Sequence, residues 1–292
     1  METSRRNAIK KLVTAAAIGS LSETASAATP HKGFLPNGNI SQSVCRWCYE
    51  STPYEDFLKE IKNIGYTAVD LVDVKDFPLI KKHGLTCSMV SISSSEWGIT
   101  KGWNKVENHA GLIKWYTYLI DQAALAGYKN VICFSGNRDE SMNDDEGLEN
   151  CIEGLSKILA YATKKKVTLV MELLNSKVNH KGYMCDSTDW GTELVRMLDS
   201  ERFKLLYDIY HMQIMEGDII RTIEENHMYF GHYHTGGNPG RAEIDETQEL
   251  NYPAIMKAIA KTGFKGFVGQ EFIPKNPDKM GSLKKAFELC DV

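Results

Sequence analysis

Several things are scarce in this chain of 292 residues, and each scarcity closes a door. No run reaches the roughly 18 apolar residues that a bilayer-crossing helix needs, so a membrane is not an expected partner of the mature protein. Basic residues do not exceed acidic ones: 34 Lys and Arg face 38 Asp and Glu, for a formal charge of −4. A protein that grips nucleic acid by its backbone wants the opposite balance. The seven cysteines are odd in number and scattered from Cys45 to Cys290, unlike the framework of a small disulfide-stapled domain. Cys45-Arg46-Trp47-Cys48 is a C-x-x-C without a second pair at zinc spacing. It reads as two packed thiols or, after export, as a local disulfide. From residue 39 onward no linker-like or low-complexity stretch interrupts the chain, which predicts one domain.

The beginning of the chain is a separate object. Ser4 to Lys11 reads S-R-R-N-A-I-K-K, a mildly apolar stretch of about ten residues follows, and Ala25-Ser26-Ala27 supplies an A-x-A cleavage pattern. This resembles a twin-arginine export signal over residues 1–27. The expectation is a mature domain over residues 28–292, delivered to the periplasm with no membrane association after cleavage.

In the remainder, short β-branched runs alternate with amphipathic helical stretches. Strands are expected at N-I-S-Q-S-V-C from Asn39, Y-T-A-V-D-L-V from Tyr66, L-T-C-S-M-V-S-I from Leu85 and N-V-I-C-F-S from Asn130. Four more are expected at V-T-L-V-M-E from Val167, F-K-L-L-Y-D from Phe203, Y-F-G-H-Y-H from Tyr229 and G-F-V-G-Q-E from Gly266. Before the first helix, Thr52-Pro53-Tyr54-Glu55 offers an N-cap, a first-turn proline and a capping-box glutamate. Gly65, Gly84, Gly127 and Gly263 each stand where a helix should stop before the next strand. Eight strand and helix units, with strands apolar enough to be covered on both faces, predict a (β/α)8 TIM barrel. An open doubly wound sheet is the lesser alternative, and no G-x-G-x-x-G follows the first strand.

A barrel of this kind builds its site where strands end and the following loops begin. The last residues of the final four strands are Glu172, Asp208, His234 and Glu271, each about one repeat unit from the next. Any one of them alone is most simply a rim residue in a hydrogen bond or ion pair. Four in succession would converge on one point, where three carboxylates without a cation would repel one another and raise their own pKa values. A divalent metal removes that conflict. Mostly oxygen ligands with one imidazole suit Mn²⁺ or Mg²⁺ best, with Co²⁺ and Zn²⁺ as alternatives. Glu271, a carboxylate inside the apolar run G-F-V-G-Q-E-F-I-P, thereby gains a reason to be there.

Longer motifs surround these positions: V-M-E-L-L-N at Val170 to Asn175, Y-D-I-Y-H-M-Q at Tyr207 to Gln213, N-P-G-R at Asn238 to Arg241, E-L-N-Y-P at Glu249 to Pro253, G-Q-E-F at Gly269 to Phe272 and S-E-W-G at Ser95 to Gly98. From about residue 39 onward the chain resembles the hydroxypyruvate isomerase branch of the xylose isomerase-like barrels. The resemblance implies a metal-dependent isomerase that passes a proton through a cis-enediolate of a small hydroxy-keto acid or keto-sugar. It makes Glu172 and Glu271 the acid/base pair, which also ligate the metal together with Asp208 and His234. His211, in D-x-x-H after the sixth strand, would contact substrate oxygens. Arg241 would hold a substrate hydroxyl or carboxylate, and Trp97, Asn175 and His180 would wall the pocket. Two departures broaden the substrate. His234 stands where the hydroxypyruvate isomerase pattern commonly has glutamine, and Ile273 stands where it has lysine. Histidine is the ligand of the ketose 3-epimerase branch, so an epimerase is the first alternative and a non-catalytic exported sugar-binding protein the second. A related barrel that cleaves DNA at abasic sites is a poorer fit, since it would need more histidines and a basic surface. The expected partner is a small-molecule substrate, with no nucleic acid; a homo-oligomer is neither required nor excluded.

Overall fold

The computed structural model describes residues 37–139 and 141–292, so the export signal expected over residues 1–27 lies outside the described residues. The first four strands are β1 (Ser41–Cys45), β2 (Ala68–Asp70), β3 (Thr86–Cys87) and β4 (Asn130–Cys133). The last four are β5 (Thr168–Glu172), β6 (Phe203–Asp208), β7 (Phe230–Thr235) and β8 (Phe267–Gln270). All pairings are parallel, in the order β3-β2-β1-β8-β7-β6-β5-β4. Val90, just beyond β3, closes the ring: it bridges Val72 on one side and Val131 on the other. Its N–H donates to the Asn130 carbonyl at 2.9 Å and its carbonyl accepts from Ile132 at 3.1 Å. Closure leaves no sheet edge, and the (β/α)8 barrel expected from the sequence is the observed architecture.

The helices are α1 (Tyr54–Ile64), α2 (Phe77–Lys82), α3 (His109–Ala126), α4 (Asp144–Lys165), α5 (Thr188–Leu198), α6 (Ile209–Met215), α7 (Ile219–Asn226), α8 (Tyr252–Lys261) and α9 (Lys279–Cys290). Strands covered by these helices outside and by side chains inside are mostly buried, fully so in the five residues of β5. The four glycines expected to stop helices do so at positive φ, from 69° at Gly84 to 126° at Gly65, where a side chain would be strained. The capping box expected at Thr52 does not form. Arg46 takes the Thr52 carbonyl at 2.7 Å, α1 begins one residue later with Pro53 at its N-cap, and Glu55 pairs with Lys82 instead.

The barrel interior is not purely apolar. Asp70, fully buried at the end of β2, accepts from Ser43 at 2.7 Å and Ser88 at 2.6 Å, and it faces His232 Nε2 at 2.7 Å. A buried carboxylate is tolerable when it is this fully hydrogen-bonded. His232 and His234 hold it well below the usual carboxylate range against the opposing effect of burial.

Candidate functional site

The four strand-end residues do converge. One ligand atom from each of Glu172, Asp208, His234 and Glu271 lies within 4.8 Å of the other three. None of the four is more than 4% exposed, so solvent cannot screen the three carboxylates from one another. Each is delivered by its backbone. Asp208 is the N-cap of α6, and its Oδ1 accepts the His211 N–H at 3.0 Å. That bond occupies one oxygen and leaves Oδ2 toward the site, which explains in physical terms the D-x-x-H motif.

His234 is oriented from behind. Its Nε2 lies 3.4 Å from Asp70 Oδ1, while Nδ1 faces Glu271 Oε2 at 2.7 Å and Glu172 Oε1 at 3.5 Å. Glu172 Oε1 is buried without a hydrogen bond, and His234 Nδ1 has only carboxylate oxygens in front of it. An unpaired carboxylate oxygen and an imidazole nitrogen facing gathered acids are what a cation site presents. The residues present therefore fit a divalent ion, with His234 offering Nδ1 while Asp70 holds Nε2.

Arg241 supplies the positive charge that the side chains themselves bring. Its guanidinium lies 2.6 Å from Glu271 Oε2 and 3.4 Å from Asp208 Oδ2, and it sits over the rings of Trp47 and Tyr210 at 5.3 and 5.6 Å. The Arg241 backbone itself is left-handed at φ 54°, an unusual conformation for a residue with a side chain. Trp47 Nε1 donates to the other Glu271 oxygen at 2.8 Å. Burial would raise the Glu271 pKa, but Arg241, His234 and the Trp47 N–H outweigh it and hold Glu271 ionised. Glu172 moves the other way, raised by burial and by the charge of Glu271. Burial likewise pushes Asp208 up to about 7, against the pull of Arg241. Two glutamates in one site thus differ in proton affinity, as acid and base partners must.

His211 can be assigned a tautomer from its neighbours. Asn175 Oδ1 accepts from the backbone N–H groups of Val178 and Asn179 at 3.0 and 2.9 Å, so the Asn175 amide must turn its NH₂ toward His211 Nδ1, 2.6 Å away. Nδ1 is then an acceptor and Nε2 carries the proton. That Nε2 is buried without a hydrogen bond. Burial and the nearby Arg241 depress the His211 pKa, which keeps the ring neutral.

A cavity of about 280 Å³ opens on this constellation, and Glu172, Glu271, Arg241 and His180 line one side of it. His180 therefore stands where a pocket wall was expected, with its ring 5.3 Å from that of His211. Asn175 is fully buried and acts on His211 rather than lining the cavity. Trp97, expected as a pocket wall, is not among the lining side chains. It packs on α3 at Gly111, where an added Cβ would fall 2.3 Å from the indole, so the close approach requires glycine. Trp47 takes the wall position instead. Trp47 lies inside the C-x-x-C, the one local pattern at this position, whose thiols are not in the cavity lining. Both Cys45 and Cys48 are buried free thiols, the packed-thiol reading of that motif.

A family model described as xylose isomerase-like TIM barrel matches residues 58–289. A 2-oxo-tetronate isomerase of Pectobacterium atrosepticum is 22% identical over 80% of this chain and 91% of its own length. A hydroxypyruvate isomerase of Escherichia coli is 28% identical over 56% of this chain and 62% of its own length. Among solved structures, an AP endonuclease, family 2, from Brucella melitensis superposes with TM-score 0.75 at 22% identity, covering 84% of this chain and 97% of that one. A 3-keto-D-glucoside 4-epimerase of E. coli superposes with TM-score 0.71 at 16% identity, covering 86% and 98%. At these identities the structural likenesses speak to the fold alone.

Proposed function

Because the chain belongs to the xylose isomerase-like TIM barrel family, we propose that it is an isomerase that moves a proton between adjacent carbons of a small α-hydroxy carbonyl compound, a hydroxy-keto acid or a keto-sugar. One observation carries this reading: two buried glutamates, Glu172 and Glu271, line the same cavity and share one cluster with Asp208 and His234. A receptor needs no such matched pair.

The substrate enters with its carbonyl and neighbouring hydroxyl toward the four-residue cluster. One glutamate takes the proton from the hydroxyl-bearing carbon to give a cis-enediolate, the hydroxyl proton passes to the former carbonyl oxygen, and a glutamate returns a proton to the former carbonyl carbon. Glu271 is held in place by Arg241, His234 and Trp47, and Glu172 faces the same cavity, so the two carboxylates are placed to share the proton transfers. His211 Nε2–H donates to a substrate oxygen as charge develops there, and Asn175 keeps that tautomer in place. Glu172, Asp208, His234 and Glu271 would hold a divalent ion, whose positive charge would lower the cost of removing the carbon-bound proton. The oxygen-rich ligand set favours Mn²⁺ or Mg²⁺. The cluster's single histidine and the net charge of −4 both weigh against an abasic-site nuclease.

The histidine at position 234 favours a second reading, epimerisation through the same enediolate with the proton returned to the opposite face. Deuterium incorporation from D₂O into a panel of ketoses and hydroxy-keto acids, with Mn²⁺ present, tests the chemistry. Exchange that requires both glutamates supports it, and tight binding without exchange would leave a sugar-binding protein. Product identification separates isomer from epimer. The basic segment with Arg5 and Arg6 supports export to the periplasm; replacing both with lysine should strand the protein in the cytoplasm on fractionation.

A further inference from the structure

The loop after β5 is tied down at nearly every polar side chain. Asn175 Oδ1 accepts from the N–H groups of Val178 and Asn179, and Asn179 Oδ1 accepts from Asn175 Nδ2 at 2.8 Å and from the Tyr210 hydroxyl at 2.9 Å. Ser176 bonds Asp186, and Lys177 Nζ donates to the Ile214 and Met215 carbonyls at 3.2 and 2.9 Å. The backbone of His180 is held as well: its N–H donates to the Asn175 carbonyl at 3.0 Å, and its carbonyl accepts from the Tyr183 N–H at 2.9 Å. Its side chain is the exception. Half-buried in the cavity lining, the His180 ring makes no hydrogen bond among the described residues, and it lies 5.3 Å from the His211 ring.

A firmly placed imidazole with both nitrogens open suits a group whose bonding is completed by a ligand. Burial and the charge of Arg241 lower the His180 pKa, so the ring is neutral and offers one N–H donor and one acceptor nitrogen. A sugar hydroxyl can meet either one. Ser91 and the unpaired Nε of Arg241 add further polar groups to the same lining, so a hydroxylated carbon chain finds partners at more than one point. In the proposed reaction the two reacting oxygens face the four-residue cluster and His211, and the next oxygen along the chain then comes to the neighbouring ring. We infer that His180 is a specificity-determining residue, which bonds the hydroxyl on the carbon beyond the reacting pair, so that the enzyme takes keto-sugars carrying that hydroxyl in preference to analogues that lack it. This deepens the proposed reaction and rests on that reading for where the reacting oxygens lie.

The experiment uses the full chain loaded with Mn²⁺. Deuterium exchange is measured on a ketohexose and on its deoxy analogue lacking the hydroxyl next to the reacting pair, at C3 for isomerisation or C4 for epimerisation. The unaltered chain should prefer the parent sugar about tenfold in kcat/KM, mostly through KM. His180→Leu should bring that preference close to unity, and His180→Gln, whose amide keeps a donor and an acceptor, should restore much of it. Each comparison is a ratio within one variant, so partial misfolding cancels. An equal loss on both sugars in His180→Leu, or a preference that survives there undiminished, would overturn the inference. Calorimetry with the corresponding hexitol and deoxyhexitol separates this outcome from failure of the isomerase reading. A His180-dependent preference in binding with no exchange from any ketose would uphold the contact and defeat the isomerase reading. Exchange that needs both glutamates but is indifferent to His180 would do the reverse.

Discussion

The two halves of the barrel rim end in different chemistry. On β5 to β8, the strand ends deliver Glu172, Asp208, His234 and Glu271 to one point. On β1 to β4 they deliver Cys45, Asp70, Cys87 and Cys133, and the loops beyond add aliphatic and aromatic side chains. The first half is an electrostatic device, in which mutually repelling groups persist in a buried site. The second is mostly hydrophobic, and its buried Asp70 turns toward His234 and supports the other half. The same scaffold thus divides its rim into a charged side and a mostly apolar one.

The sharpest way to break that comparison is to remove what the charged half gathers around. Chelation of the divalent ion should abolish exchange, and Mn²⁺ should restore it; full activity after exhaustive chelation would show that the gathered acids do not work with a metal. Next, Glu172→Gln and Glu271→Gln should each lower kcat by about a thousandfold in a deuterium-exchange assay.

Asp70→Asn probes the link between the halves. The substitution removes the charge behind His234 while keeping the shape, and metal affinity by competition titration should fall about 10- to 100-fold. An accompanying change in the absorption of the Co²⁺-substituted protein would report altered coordination, whereas loss of folding stability alone would mark Asp70 as a structural residue.

The metal-free protein should also show a pH signature. Asp208 is raised from 3.8 to about 7 in the folded chain by burial, so folding favours its protonated form. The stability it contributes is fully present below the unfolded value of 3.8 and is lost as pH rises through about 7. Metal binding needs the carboxylate, so the rise in Tm on adding Mn²⁺ should grow between pH 5 and pH 8; a constant or shrinking rise would contradict the assignment of Asp208. The smallest effect is expected from Trp47→Phe, which deletes one hydrogen bond to Glu271 yet keeps a ring beneath Arg241. A loss of several-fold in kcat with little change in stability would fit.

The same division decides what could be read from the sequence. The charged half was legible because ligation demands particular side chains at strand ends, and those types stand out in apolar runs. Glu271 within G-F-V-G-Q-E-F is the plainest case. The mostly apolar half was not. Leu71, Ile132 and Phe134 belong to the residue types that also fill the core, and no pattern along the chain tells a cavity wall from packed interior. Asp70 sat inside an unremarked Y-T-A-V-D-L-V strand, and its bond to His234 spans 164 positions of the chain. S-E-W-G marks Trp97, whereas the position of Trp47 facing Glu271 is set by closure of β1 on β8, which no local pattern shows. Regular strand length was also overestimated at β3, where only Thr86–Cys87 is regular and Val90 completes the ring through single bridges.

The most direct test of the central claim is anomalous diffraction from crystals of the Mn²⁺-loaded chain. The account predicts one peak per chain, roughly 2.0–2.2 Å from oxygens of Glu172, Asp208 and Glu271 and from Nδ1 of His234. A peak elsewhere, or none in a protein whose activity requires the ion, would contradict it.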